Sequence, residues 1–292
     1  MHPFVSVIIP CYNDEVGIKM TLKSLSYQNY PSDKWELITV DNNSDDRTKN
    51  VLFSFKEVIP SLKIEHESIQ SSYAARNRGI SVSRGDVLAF IDSNMTVNSD
   101  WLTQGVSDLV NQHVDYVGCR VNIQYNSSQP SIWERYNKRT GFPVQQYVKR
   151  DYFAPTCCLF IRKDILKITG LFDDKLISGG DREFGRRVHA AGFKMNYNYK
   201  NVMQHPARSS LKSLIEKYVR VSKGHIDLKL YFPFNFGKIN FLFFIRRLWP
   251  FQYFPASFKD QKNIELLKMM IVDLIVKATI IKTEFLYYIK RS

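Results

Sequence analysis

Three short polar stretches hold the residue types that could do chemistry: Pro10-Cys11-Tyr12-Asn13-Asp14-Glu15, Asp41-Asn42-Asn43-Ser44-Asp45-Asp46 and Asp92-Ser93-Asn94. A carboxylate followed two residues later by an amide oxygen, as Asp92 and Asn94 are, can grip a divalent cation and hold the hydroxyls of a nucleotide's sugar. Each stretch directly follows an apolar run, over residues 5–9, 37–40 and 87–91. A buried strand ending in a carboxylate is seldom merely structural, because an unpaired charge at the edge of a core is costly.

The elements that must position these groups follow from the apolar pattern. The three runs are nearly continuous in Val, Ile, Leu and Phe, as expected of parallel strands covered on both faces. Further strands are expected over 62–64, 116–121 and 157–161, and helices over 15–28, 45–55, 72–83 and 99–110, several opening on Ser or Asp. Strand and helix alternate, which predicts a single wound α/β sheet flanked by helices. Ligands of such sheets bind beyond the carboxyl ends of the strands, where the three polar stretches fall. Residues 122–152 show weak periodicity and read as a mobile active-site loop, in which Trp133 could stack on a sugar or anchor the loop.

Length and charge bound the rest. The chain has 292 residues, enough for one large domain with an appendage, and a net charge of +13. Residues 1–199 hold 24 Lys and Arg against 22 Asp and Glu, whereas 200–292 hold 17 against 6. The excess of cations in the last third points to an anionic partner there. That segment reads as helical and aromatic, with Arg246, Arg247, Lys259, Lys262 and Lys268 interleaved with Phe, Trp and Leu, a pattern suited to an anionic membrane surface. No run of 18 uncharged apolar residues is present, so a spanning helix is not expected. No signal peptide is expected at the first residues. Cys11, Cys119, Cys157 and Cys158 lack the spacing of a zinc or redox motif and read as free thiols in a reducing compartment.

Five motifs in order carry a resemblance: residues 5–13, residues 37–46, Ala74-Ala75-Arg76-Asn77-Arg78-Gly79-Ile80, Asp92-Ser93-Asn94, and Gly179-Gly180-Asp181-Arg182-Glu183-Phe184-Gly185-Arg186-Arg187. Together the chain resembles the family 2 glycosyltransferases of the GT-A fold over about residues 4–225. The resemblance implies a catalytic domain at 1–225 and a helical, basic extension at 226–292. It implies a donor pocket of Pro10, Tyr12, Asn13, Asp41, Arg76, Asp92 and Ser93, with Asp181 as general base. It also implies a metal set of Asp92, Asn94 and His205, and an acceptor or diphosphate region at Gly180, Glu183 and Arg187.

The implied reaction fits these residue types. Sugar transfer with inversion needs a base for the acceptor hydroxyl and neutralisation of the departing diphosphate. Asp181 follows two glycines and opens an amphipathic helix, a rigid mount with room for a substrate; as a plain alternative it caps that helix. Arg187 could pair with an acid or with substrate. Asn94 stands where the family commonly has a second carboxylate and would bind a cation more weakly. With an imidazole in the set, Mn²⁺ suits better than Mg²⁺. The expected function is an inverting transferase using a UDP-sugar to extend a saccharide or glycolipid, cytoplasmic and peripheral on the inner face of the cell membrane. A nucleotidyltransferase is disfavoured because the loop after the first strand is acidic and lacks the glycine-rich basic triphosphate turn. A non-catalytic nucleotide-sugar or saccharide-binding module is the other alternative, motivated by Asn94. No helix-turn-helix, zinc-finger or RNP-like pattern supports a nucleic-acid partner.

Overall fold

The computed structural model describes residues 2–111, 113–239, 243 and 263–291. The chain divides into two compact units: residues 1–124, 141–175 and 180–206 form the first, and residues 125–140, 176–179 and 207–292 the second.

The first unit is built on an eight-stranded mixed sheet. Its strands are β1 (Val5–Cys11), β2 (Trp35–Asp41), β3 (Leu62–His66), β4 (Val87–Ile91), β5 (Thr96–Val97), β6 (Tyr116–Gln124), β7 (Cys158–Arg162) and β8 (Met195–Pro206), in the order β3-β2-β1-β4-β7-β6-β8-β5. β3, β2, β1 and β4 are mutually parallel, and β7 runs antiparallel to both β4 and β6. All seven residues of β2 and all five of β4 are buried, which explains their continuous apolar runs. The helices of this unit are α1 (Glu15–Leu25), α2 (Thr48–Ser54), α3 (Ser72–Val82), α4 (Trp101–Asn111), the short α6 (Val144–Gln146) and α7 (Leu166–Thr169), and α8 (Gly180–Ala190).

One buried charge lies at the opposite end of the central strands from the polar stretches. Glu36 on β2 is fully buried and accepts from Ser6 Oγ at 2.7 Å, while Lys63 Nζ lies at 2.7 Å and Arg84 Nε at 3.0 Å. Burial alone would raise its pKa, but the bonds from Lys63, the Arg84 backbone, Ser6 and the Arg84 side chain outweigh it and bring the group down to about 2.

The second unit is helical: α5 (Ile132–Thr140), α9 (Leu211–Tyr231), the short α10 (Pro233–Phe236) and α11 (Asn263–Arg291). Its core is Tyr136, Leu214, Val272 and Val276, with Ile132, Trp133, Tyr218 and Ile280 packed around them. Tyr136 donates to Asp273 at 3.0 Å across this core.

Several expectations change. The stretch 122–152 is not a loop: it finishes β6, forms α5 and α6, and ends in a π-helical turn at Tyr147–Asp151. Its aromatics, Trp133 and Tyr136, are the apolar side of α5, so Trp133 is an anchor. The long edge-proximal β8 and the two-residue β5 were not anticipated. The expected boundary at 225/226 falls inside α9, which continues through it unbroken. Phe241, Phe244, Trp249, Phe251, Tyr253, Phe254, Arg246, Arg247, Lys259 and Lys262, on which the membrane reading rested, lie outside the described residues. No helix among the described residues is long and apolar enough to cross a membrane. All four cysteines are free and buried.

Candidate active site

The parallel strands deliver their polar ends to one edge of the sheet, and hydrogen bonds lace those ends together. Register pairs Cys11 with Asp41 at the tips of β1 and β2. Asn13 and Asn43 both adopt positive φ, 45° and 64°, so the chain turns sharply just beyond each strand. Asn13 N–H donates to Ser44 Oγ at 3.1 Å, Asp45 N–H to Asn13 Oδ1 at 2.9 Å, and Asp14 N–H to Thr48 Oγ1 at 2.8 Å. Asn42 Nδ2 donates to the carbonyls of Glu67 and Ile69, fixing the exit of β3. Asp14 then accepts from Gly17 N–H, capping α1, and from Ser93 Oγ at 2.6 Å, which ties the first loop to the turn after β4.

Three carboxylates converge on this edge. The buried Cys11 thiol is pushed well up, first by burial and then by the negative charges of Asp41, Asp14 and Asp92. Asp41 is buried, with Ser44 N–H on one oxygen at 3.3 Å and Lys49 Nζ and His66 Nδ1 at 3.3 and 3.5 Å from the other. Tyr12 is half exposed beside it in sequence, its ring available for stacking. Pro10 is half-buried and lies beyond the residues of β1 that pair with β4.

The turn after β4 is joined to the start of α8 through α3. Arg76 is buried; its Nη2 donates to Asp92 Oδ1 at 2.7 Å, its Nη1 to the Ser72 carbonyl, and its guanidinium lies 5.6 Å from the centre of the Tyr73 ring. The Tyr73 hydroxyl in turn accepts from Asp181 N–H at 3.4 Å. A Cβ at Gly180 would stand 2.7 Å from Tyr73 Cζ, so only glycine lets α8 begin against this ring. Asp181 is therefore inside the first helical turn, with Gly179 (φ 87°) ahead of it, and not at the capping position. There the residue is partly exposed and its Oδ1 accepts from Arg182 N–H at 2.9 Å.

Glu183 and Arg187 satisfy each other. Arg187 Nε and Nη2 meet the two Glu183 oxygens at 2.6 and 2.8 Å, and its remaining hydrogens go to the carbonyls of Thr169 and Leu171. Of the two roles open to Arg187, this is pairing with an acid; it pins α8 to the segment after α7.

His205 lies on β8, whose antiparallel pairing of Gln204 with Thr96 brings it to the same end of the sheet as Asp92 and Asn94. Its Nδ1 lies 2.7 Å from the Pro206 carbonyl, which holds the ring's orientation. Among the described residues no three His, Cys, Asp or Glu side chains are grouped as a ready metal cluster. The chain thus brings to one end of the sheet a carboxylate, whose Oδ1 accepts from Arg76, an amide and an imidazole, donor types that a divalent cation takes.

Tyr73 and Thr48 were not singled out in the sequence, and Asp14 and Ser44, though within the polar stretches, were given no role of their own. Tyr73 shares a helical motif with Arg76, three residues on, but nothing local says its hydroxyl reaches residue 181. Asp14 carried a visible signal, an acid just ahead of an apolar helix pattern.

A wound sheet with laced, acidic strand ends at one edge and a carboxylate entering a helix beside it defines a transferase-type α/β site. The family model described as "Glycosyl transferase family 2" matches residues 6–169, and the chain belongs to that family. It is a glycosyltransferase with the GT-A fold. Among curated proteins the chain is 38% identical over 227 residues to glycosyltransferase AglE of Haloferax volcanii, covering 77% of this chain and 74% of that one. It is 25% identical over 289 residues to a dolichyl N-acetyl-alpha-D-glucosaminyl phosphate 3-beta-D-2,3-diacetamido-2,3-dideoxy-beta-D-glucuronosyltransferase of Methanococcus voltae, covering 88% of this chain and 86% of the relative. Among solved structures, the mannosyltransferase PcManGT of Pyrobaculum calidifontis in complex with GDP-Man and Mn²⁺ aligns with a TM-score of 0.62 at 16% identity, over 98% of this chain and 74% of that one.

Proposed function

We propose that the chain is an inverting glycosyltransferase that moves a sugar from a UDP-sugar to a hydroxyl of a saccharide or glycolipid acceptor. The observation that carries this reading is the contact series Asp92, Arg76, Tyr73, Asp181, which couples a strand-end acid to a helix-start acid. In the reading, Pro10, Tyr12, Asn13 and Asp41 take the nucleoside and Asp92, Ser93 and Arg76 lie toward ribose and diphosphate. Asp181 accepts the proton of the acceptor hydroxyl as its oxygen bonds to the anomeric carbon, and the bond from that carbon to the diphosphate breaks with its electron pair leaving on UDP. Asp92, Asn94 and His205 would hold a divalent cation, Mn²⁺ in preference to Mg²⁺, which when bound neutralises the departing diphosphate. Gly180 lets the start of α8, and with it Asp181, pack directly against the Tyr73 ring.

The name of the Methanococcus voltae relative, a transferase acting on a lipid-phosphate-linked sugar, supports the glycolipid acceptor, and the Mn²⁺ of the mannosyltransferase structure supports the cation. That structure holds GDP-mannose, so preference for uracil rests on the family resemblance. We assign catalysis to the first unit and the helical second unit, which carries residues 207–292, to contact with an anionic membrane surface at the inner face of the cell membrane.

Thermal stabilisation by UDP, GDP, CDP and dTDP, each with and without Mn²⁺, tests the donor site, since a ligand at 100 times its Kd adds about 2.7 kcal/mol. A shift confined to UDP with Mn²⁺ is expected; an equal or larger shift with GDP overturns the uracil preference, and none with any nucleotide overturns the donor site. Asp181→Asn is expected to keep that shift while lowering turnover by at least ~100-fold. Unchanged turnover removes Asp181 from the role.

A further inference from the structure

In the second unit α9 and α11 enclose a groove of about 580 Å³, lined by Val219 and Lys223 from α9 and by Lys282, Thr283, Leu286, Tyr287, Lys290 and Arg291 from α11. Four cations thus surround an apolar floor. None of the four has a salt-bridge partner among the described residues. Glu284 is fully buried against His225 at 3.3 Å, Asp273 is paired with Lys277, and Glu265 with Arg135. Asp227, on α9, is buried, accepts from Tyr287 at 3.3 Å, and has its pKa raised by burial. Arg291 donates to the hydroxyls of Tyr231 and Tyr287 at 3.0 and 2.9 Å. Lys290 and Arg291 also compensate the carbonyl end of α11, but Lys223 and Lys282 lie off the last turn and have no such duty.

The outer face of α11 adds a second feature. Ile264, Leu267, Ile271, Leu274, Phe285 and Ile289 are exposed at helical spacing, on a helix whose charges prevent it from spanning a bilayer. An apolar stripe flanked by unpaired lysines is the pattern of a helix lying in an anionic interface, and cations beside it complement lipid phosphate.

We propose that the groove between α9 and α11 binds the phosphate of an anionic lipid, with the exposed stripe of α11 resting among the lipid chains. This deepens the membrane-surface part of the proposed function and rests on it, naming the site; it is independent of the transfer reaction.

Vesicle co-sedimentation of the full chain tests it, with phosphatidylcholine vesicles and the same vesicles containing phosphatidylglycerol at fixed ionic strength. Wild type is expected to partition onto the anionic vesicles only. Each cation near such a surface contributes about 5-fold, so Lys223→Gln with Lys282→Gln is expected to weaken partitioning about 30-fold, and Lys19→Gln with Lys23→Gln, on α1, to weaken it far less. Phe285→Ser with Ile289→Ser is expected to weaken binding to the anionic vesicles as well. If wild type ignores anionic vesicles, both the membrane-surface reading and the groove fail. If it binds but the Lys223/Lys282 pair behaves like the α1 pair, the surface reading stands and the groove is overturned. Stabilisation by inorganic phosphate at matched ionic strength without vesicle binding identifies a free-phosphate site and overturns the lipid assignment. Circular dichroism of each variant confirms that the helices remain.

Discussion

The two compact units bury their polar and apolar groups in opposite ways. In the first, apolar strands are covered on both faces and three acids at the strand ends have cationic neighbours: Arg76 at Asp92, Lys49 at Asp41, and Lys63 and Arg84 at Glu36. In the second, Glu134, Asp227 and Glu284 are buried, whereas Lys282, Lys290, Arg291 and half of the apolar residues of α11 face out. A carboxylate buried in a sheet between helices, as Glu36 and Asp41 are, needs partners close at hand, here supplied by side chains that reach out to water. A helix pair has only one buried stripe per helix, so α11 can leave its other face for a second surface.

The comparison can be broken at its cores first. Leu214, fully buried between α9, α5 and α11, anchors the small second core. Leu214→Ala is expected to cost about 3 kcal/mol, read as early loss of helix signal on heating while nucleotide binding by the first unit persists. Simultaneous loss of both would show that the units do not melt separately.

Glu36 sharpens the contrast next. Glu36→Ala strips Ser6 and the Arg84 N–H of their acceptor, but Lys63 and Arg84 still reach water, so a destabilisation of about 2 kcal/mol is expected in urea titration. The pH dependence carries the sign. A group depressed from 4.5 to about 2 stabilises the fold fully above pH 4.5, and that contribution is lost as pH falls toward 2. The wild-type midpoint should therefore drop more steeply below pH 4.5 than that of Glu36→Ala; parallel acid slopes would remove the ion cluster as a source of acid lability.

The smallest effect is expected on the exposed stripe. Ile271→Ser removes no buried contact and should change thermal stability by less than about 0.5 kcal/mol. A larger loss would mean that the stripe is covered in solution.

Much of the first unit was legible in the chain because parallel strands need continuous apolar runs and loops must resume polarity at their ends. Runs at 5–9, 37–40 and 87–91 became β1, β2 and β4 almost residue for residue. β8 escaped because Met195–Pro206 alternates Asn, Tyr and Lys with few apolar residues; it is strand by virtue of pairing with β6 and β5, not of its own pattern. Residues 122–152 misled for the converse reason: the aromatics of α5 look irregular alone and become one face only against α9 and α11.

The sequence by itself determined the wound sheet, the acidic strand ends, the glycine pair before Asp181 and the basic bias of the last third, since these follow from period, spacing and charge, which are local. Only the tertiary structure decided that Arg76 holds Asp92, that Tyr73 carries the connection to Asp181, that Arg187 is consumed by Glu183, and which lysines border a groove. Those facts join residues separated by four to more than one hundred positions, and such distances in sequence are closed only when the core between them has packed.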